Sequence, residues 1–159
     1  MSRHQIKYQF SLKNELETGI LASQLADVSV TGDVIGLIGD LGVGKTAFAR
    51  AFINARVGDV EVPSPTFTIV QVYEFSDINV YHFDLYRIEE TEELFELGIE
   101  DAFTDGISLI EWPDRMDTYL PSDRLDIIFS SVSSENARQV TLVGYGENWI
   151  NRLVQVSIQ

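Results

Sequence analysis

No stretch limits the fold of this chain more than "DVIGLIGDLGVGKTAFAR", residues 33–50. A compact apolar run, read as a β-strand, passes straight into a glycine loop. A helix follows, with Phe48, Phe52 and Ala55 predicted on one face. Within the loop, "GDLGVGKT" has the spacing GxxxxGK[ST]. Gly39, Gly42 and Gly44 admit backbone conformations that a side chain would forbid. Backbone N–H groups from about Gly42 to Thr46 can then turn inward around phosphate oxygens, aided by the positive end of the helix dipole. Lys45 is placed to bridge β- and γ-phosphates, and the Thr46 hydroxyl to ligate Mg²⁺. The strand–loop–helix context is the one this motif requires.

Such a loop needs an acid for its metal, usually at the end of a neighbouring apolar strand. Two qualify: Asp84 after "NVYHF" and Glu111 after "ISLI". Either can bind Mg²⁺ through water, Glu111 can also orient an attacking water, and the pattern does not choose between them. "VPSPTFT", residues 62–68, is either a proline-stiffened turn or a switch whose threonine senses the γ-phosphate and the metal. His82, inside an apolar run, is read as packed and hydrogen-bonded, without a catalytic role. Trp112 is read as a plug at the core edge, with stacking near a nucleotide as the alternative and Pro113 ending the strand.

The remaining chain predicts a mixed sheet with flanking helices, an α/β class rather than a pure βα alternation. "QIKYQF" reads as an opening strand, and residues 14–28 as a helix with Thr18, Leu21, Leu25 and Val28 inward. "TFTIVQVYE" and "INVYHFDLY" flank an "FSD" turn and predict a hairpin. "ETEELFELG" reads as a helix ending at Gly98, "GISLIEW" as a buried strand, "RLDIIFSSV" and "RQVTLVGYG" as a second hairpin, and "ENWIN" as a short last helix. At 159 residues, one domain covering 1–159 is expected.

Charge narrows the partners. The formal net charge is −14, and from Asp84 to Asp117 twelve acids face two arginines. A general basic surface for nucleic acid is therefore excluded; the acidic segment is either a solvated face or a contact for a basic protein. With no cysteine, disulfides, thiolate catalysis and cysteine-based zinc sites are also excluded. The N-terminus carries no apolar run of signal-peptide length, and no run approaches a membrane span, so a cytoplasmic chain is expected.

"GDLGVGKTAFAR", "SPTFTIVQVY", "YHFDLYRI", "ELFELGIEDAF" and "LIEWPDR", in this order and spacing, resemble the TsaE (YjeE) family. This is the family of bacterial ATPases required for threonylcarbamoyladenosine modification of tRNA next to the anticodon. The resemblance runs from about residue 14 to residue 146. It implies a P-loop fold with a mixed sheet, ATP hydrolysis with Mg²⁺, and action beside TsaB and TsaD, with tRNA engaged only indirectly. TsaD would transfer the threonylcarbamoyl group, while the ATP cycle of this chain would support repeated turnover.

Carried over by position, Lys45 and Thr46 become phosphate and Mg²⁺ contacts within a loop of Gly39, Asp40, Leu41, Gly42, Val43 and Gly44. Glu111 becomes the acidic metal partner, Asp84 the Walker-B-like aspartate, and Thr66 the switch-like threonine. Asn14 and Thr18 fall on the base side of the nucleotide, and Asp114 and Arg138 at further nucleotide-side positions. Val43 and Ala47 replace the family's usual alanine and threonine without removing a phosphate or metal group. No glycine precedes Arg138, a departure from the pattern.

A small-molecule P-loop kinase is the alternative function. It would normally carry lid arginines and a basic acceptor pocket. Here the region after the loop helix has few arginines, and the segment best placed for a lid is acidic. The free chain is expected to be a monomer.

Overall fold

The computed structural model describes residues 4–40, 42–58, 60–63, 69–75, 77–131 and 137–156. Seven strands form one sheet: β1 (Gln5–Leu12), β2 (Val34–Ile38), β3 (Val70–Glu74), β4 (Asn79–Asp84), β5 (Gly106–Glu111), β6 (Arg124–Ser131) and β7 (Arg138–Tyr145). Their spatial order is β1-β7-β6-β2-β5-β4-β3. The four central strands, β6-β2-β5-β4, run parallel. Antiparallel pairs close both sides: β6 with β7, β7 with β1, and β4 with β3. The mixed sheet expected from the sequence is the one observed.

This topology gathers distant residues at one edge. Parallel strands all end on the same side, so the loop after β2 meets the ends of β4 and β5. Leu37 of β2 and Asp84 of β4 are both register partners of Glu111 in β5. Because β7 runs the other way, its first residue, Arg138, pairs with Ser131 at the end of β6 and reaches the same edge. Leu12, the last residue of β1, pairs with Arg138 and delivers the start of α1 (Glu15–Val28) there. Ligands of open α/β sheets bind at this carboxyl edge.

Two apolar layers cover the sheet. On one face α1 and α2 (Lys45–Val57) pack on each other and on the strands, burying Leu21, Leu25, Phe48, Phe52 and Ile53 completely. Each such side chain withdrawn from water contributes about 1.5–3 kcal/mol. The opposite face is covered by α3 (Glu92–Glu96), α4 (Ile99–Asp105) and a 3₁₀ segment (Pro113–Tyr119), around Phe83, Leu85, Leu94 and Met116. The last helix, α5 (Glu147–Leu153), packs against β7 and β1.

Two local expectations change and a third holds. Ala55 is exposed, and the buried stripe of α2 continues through Ile53 and Val57 instead. In α1, Ala22 and Ala26 complete the buried face and Val28 is half-buried. Gly98 closes α3 as expected, at φ 79° in the left-handed conformation of a helix-ending glycine, and α4 starts from the same residue. The two hairpins form as expected, although the part of "TFTIVQVYE" before Ile69 lies outside the described residues.

Candidate functional site

At two positions of the glycine loop a side chain would crowd its neighbours in a backbone conformation that favours glycine. At Gly39, φ is 154°, and a Cβ would stand 2.8 Å from Val43 Cγ1 and 2.9 Å from the Phe129 carbonyl oxygen. At Gly44, φ is 112°, and a Cβ would meet Arg138 Nε at 3.0 Å. Val43 is anchored in the core beneath the loop. Arg138 Nε donates to the Val43 carbonyl, and Nη1 donates to Ala137 O at 2.8 Å, so the first residue of β7 grips the loop from outside.

Lys45 opens α2 with only 4% of its surface exposed. Its ammonium donates to the Gly39 carbonyl at 2.6 Å and sits 3.7 Å from the centre of the Trp112 ring. Burial pulls its pKa below the ordinary lysine value; the carboxylates of Glu111, Asp84, Asp40 and Asp114 pull in the opposite direction. Four acids therefore act electrostatically on one amine.

Thr46, next in the helix, donates its hydroxyl to Glu111 Oε2 at 3.1 Å, with Oε1 at 3.4 Å. Glu111 is 4% exposed and ends β5. Asp84, also buried, ends β4 as its register partner and accepts a hydrogen bond from the Tyr86 amide at 3.1 Å. Asp40 and Asp114 are exposed at the rim.

His82 lies beneath these acids, fully buried, with Nε2 2.7 Å from Glu111 Oε2. It is packed and hydrogen-bonded, as its apolar surroundings suggested. Its partner is one of the two candidate metal acids, which strand periodicity could not reveal. Trp112 is half-buried with φ 62°, a left-handed conformation unusual for a large residue. Its ring packs on Tyr86 at 4.9 Å and carries the Lys45 ammonium. Pro113 follows as the first residue of the 3₁₀ segment.

Beside the loop, a cavity of about 250 Å³ opens between α1 and α2, lined in part by Thr18, Gly19, Gly44, Ala47, Phe129 and Arg138. Thr18 and Arg138 thus reach a common space next to the loop. Asn14 does not line it: its side chain caps α1, accepting from the Glu17 amide at 2.9 Å. Thr66 and Leu41 lie outside the described residues.

The donor set suits a hard cation. The Thr46 hydroxyl meets the Glu111 carboxylate, and Asp84 ends the neighbouring strand in register with Glu111; all three are oxygen ligands of the type Mg²⁺ accepts. Among the described residues no group of three or more His, Cys, Asp or Glu forms a metal cage. Mg²⁺ is usually held by one or two carboxylates together with phosphate oxygens, so the residues present fit that ion.

A strand, glycine loop and helix, with acids on the two adjacent parallel strand ends, define a P-loop nucleotide-binding fold. The family model described as "Threonylcarbamoyl adenosine biosynthesis protein TsaE" matches residues 12–140. The TsaE protein of Rickettsia felis is 38% identical over 133 residues, covering 83% of this chain and 77% of its own length. That of Bacillus subtilis is 35% identical over 137 residues, covering 86% and 85%. Both are described as tRNA threonylcarbamoyladenosine biosynthesis proteins. The crystal structure of Bacillus subtilis YdiB superposes with a TM-score of 0.78 at 28% identity, over 97% of this chain and 96% of that one. The chain belongs to the TsaE family of tRNA threonylcarbamoyladenosine biosynthesis. No helix among the described residues is long and apolar enough to cross a membrane.

Proposed function

We propose that the chain is a single-domain, Mg²⁺-dependent ATPase of the tRNA threonylcarbamoyladenosine machinery, acting with TsaB and TsaD to support repeated turnover. It would not itself transfer the threonylcarbamoyl group. The observation that carries this reading is the direct contact of Thr46 Oγ1 with Glu111, 3.1 Å apart, at the first turn of the P-loop helix. Two groups suited to one cation, from segments 65 residues apart, meet where a triphosphate would lie.

In this reading the loop amides and Lys45 bind the phosphates, Lys45 leaving the Gly39 carbonyl and the Trp112 face to do so. Mg²⁺ would neutralise developing charge on the phosphate oxygens. Thr46 and Glu111 would hold it, with Asp84 supporting the same site; Asp84 and Glu111 also supply the charge arrangement for an attacking water. Thr18 and Arg138 would border the nucleoside in the cavity beside the loop. Thr66 would sense the γ-phosphate, and Asn14 would act on the base side only through the helix it caps. The chain would work in the cytoplasm and be monomeric when free.

The test is ATP turnover by the purified chain with TsaB and TsaD, together with capture of that pair with and without ATP. Recovery of both proteins and ATP-dependent turnover are expected. Capture of neither, with hydrolysis absent when Mg²⁺ is supplied, would reject the assignment.

A further inference from the structure

We propose that His82 is a positioning residue: it fixes the Glu111 carboxylate in the orientation from which that carboxylate serves Mg²⁺. The proposal rests on the proposed function, in which Glu111 is a metal partner.

The geometry is specific. His82 lies in the middle of β4, paired with Leu109, while Asp84, two residues further on, pairs with Glu111. Alternation along the strands sends His82, Asp84, Leu109 and Glu111 to the face covered by α2. There His82 Nε2 stands 2.7 Å from Glu111 Oε2, and the same oxygen receives the Thr46 hydroxyl at 3.1 Å. An ionised carboxylate only accepts, so Nε2 carries the hydrogen in this pair.

The carboxylate is thus held by two donors of different kinds. Thr46 lies on the loop helix and is itself a candidate metal ligand, so its contact with Glu111 changes when a cation arrives. His82 is wholly buried within the sheet and cannot reach solvent or ligand. It is the donor that stays. Without it, the terminal torsion of Glu111, broad and two-fold in a glutamate, would be set by Thr46 and the cation alone. Hydrogen bonds that orient metal ligands in this way commonly contribute about 10–100-fold to metal affinity.

One further feature separates orientation from simple burial. Among the described residues His82 Nδ1 has no hydrogen-bond partner. A histidine kept only for packing would leave one polar nitrogen unsatisfied where an apolar side chain would leave none, at a cost of about 1–3 kcal/mol. The hydrogen bond from Nε2 to Glu111 is what an apolar residue could not supply.

The experiment is calorimetric binding of a non-hydrolysable ATP analogue, with Mg²⁺ and with the metal chelated. It compares the wild type, His82→Leu and His82→Gln, whose side-chain amide reaches about as far as imidazole Nε2. His82→Leu should keep the metal-free affinity and lose about tenfold or more of the Mg²⁺ enhancement, while His82→Gln retains most of it. An enhancement in His82→Leu equal to the wild type would overturn the proposal, as would a glutamine variant no better than leucine.

Glu111→Ala, measured alongside, keeps the two readings apart. If it leaves the metal effect intact, the assignment of Glu111 fails and this proposal falls with it. If it removes the effect while His82→Leu does not, only the role of His82 is lost. Should His82→Leu not fold, ring-nitrogen NMR of the wild type decides. An Nε2–H signal that shifts when Mg²⁺ joins the analogue-bound protein supports positioning, and an unmoved signal overturns it.

Discussion

Lys45 is held in a place that suits a ligand better than it suits the free protein. Its ammonium is buried, and burial lowers its pKa despite four nearby carboxylates. The consequence for stability has a definite sign. Between the lowered folded pKa and the ordinary value of 10.5, the unfolded chain binds more protons, so stability rises with pH across that window. Below the window the full cost of burying the charge is present. Lys45→Met is therefore expected to melt no earlier than the wild type at neutral pH, with any advantage shrinking as pH approaches the unfolded value. The same variant should lose about 10–100-fold in ATP affinity, the loss expected for a charge-assisted contact of about 1.5–3 kcal/mol. Thermal melts across pH and calorimetry check the two halves; unchanged ATP affinity would remove Lys45 from the phosphate site. Glu111→Ala should act differently, costing about 100-fold in turnover while the loop amides and Lys45 still bind nucleotide. Normal turnover with TsaB and TsaD present would pass the role to Asp84.

At the scale of the element, the critical joint is the entry to α2. Gly44 caps the helix at φ 112° with the Arg138 guanidinium against it, so Gly44→Ala adds both strain and a close contact. A cost of about 1–3 kcal/mol is expected from the backbone conformation alone. In a chain of this size that lowers the melting temperature by about 2–4 °C per kcal/mol. The displaced Arg138 would also release the Val43 carbonyl, so nucleotide affinity should fall together with stability. A variant with wild-type melting and binding would show that the loop has room the observed contacts deny. The strand–loop–helix order was legible in the sequence because period and motif are both local signals. The grip of Arg138 was not, since it depends on β7 running antiparallel and starting at the edge where β2 ends.

For the whole molecule, charge is the distinguishing property. The acids between Asp84 and Asp117 follow β4 and include α3, α4 and β5, so the acidic surface is joined by backbone to both candidate metal strands. Glu92 and Glu96 are on α3 with Phe95, which is 41% exposed and packs edge-on against Tyr119 at 5.0 Å. An acidic face with exposed aromatics suits a basic protein surface better than nucleic acid. Reversing Glu92, Glu93 and Glu96 to lysine should leave ATP binding intact and weaken capture of TsaB and TsaD, and wild-type capture should itself decline with salt. Undiminished complex formation by the triple variant, with multiple rounds of tRNA modification, would place the interface elsewhere.

The sequence by itself determined the P-loop, its helix, both hairpins and the acids at two strand ends, because spacing, turn chemistry and apolar alternation act over a few residues. Tertiary structure decided which neighbours those residues have. Strand order β6-β2-β5-β4 sets Glu111 against Thr46, turns His82 from a packed core residue into a partner of that carboxylate, and brings Trp112 under Lys45. It also brings Thr18 on α1 to the cavity beside the loop. Each of these contacts joins segments, or selects a helix face, according to how the strands and helices pack. Local sequence signals carry no record of that packing: periodicity specifies which face a residue occupies, whereas the side chain it meets there depends on the element packed opposite.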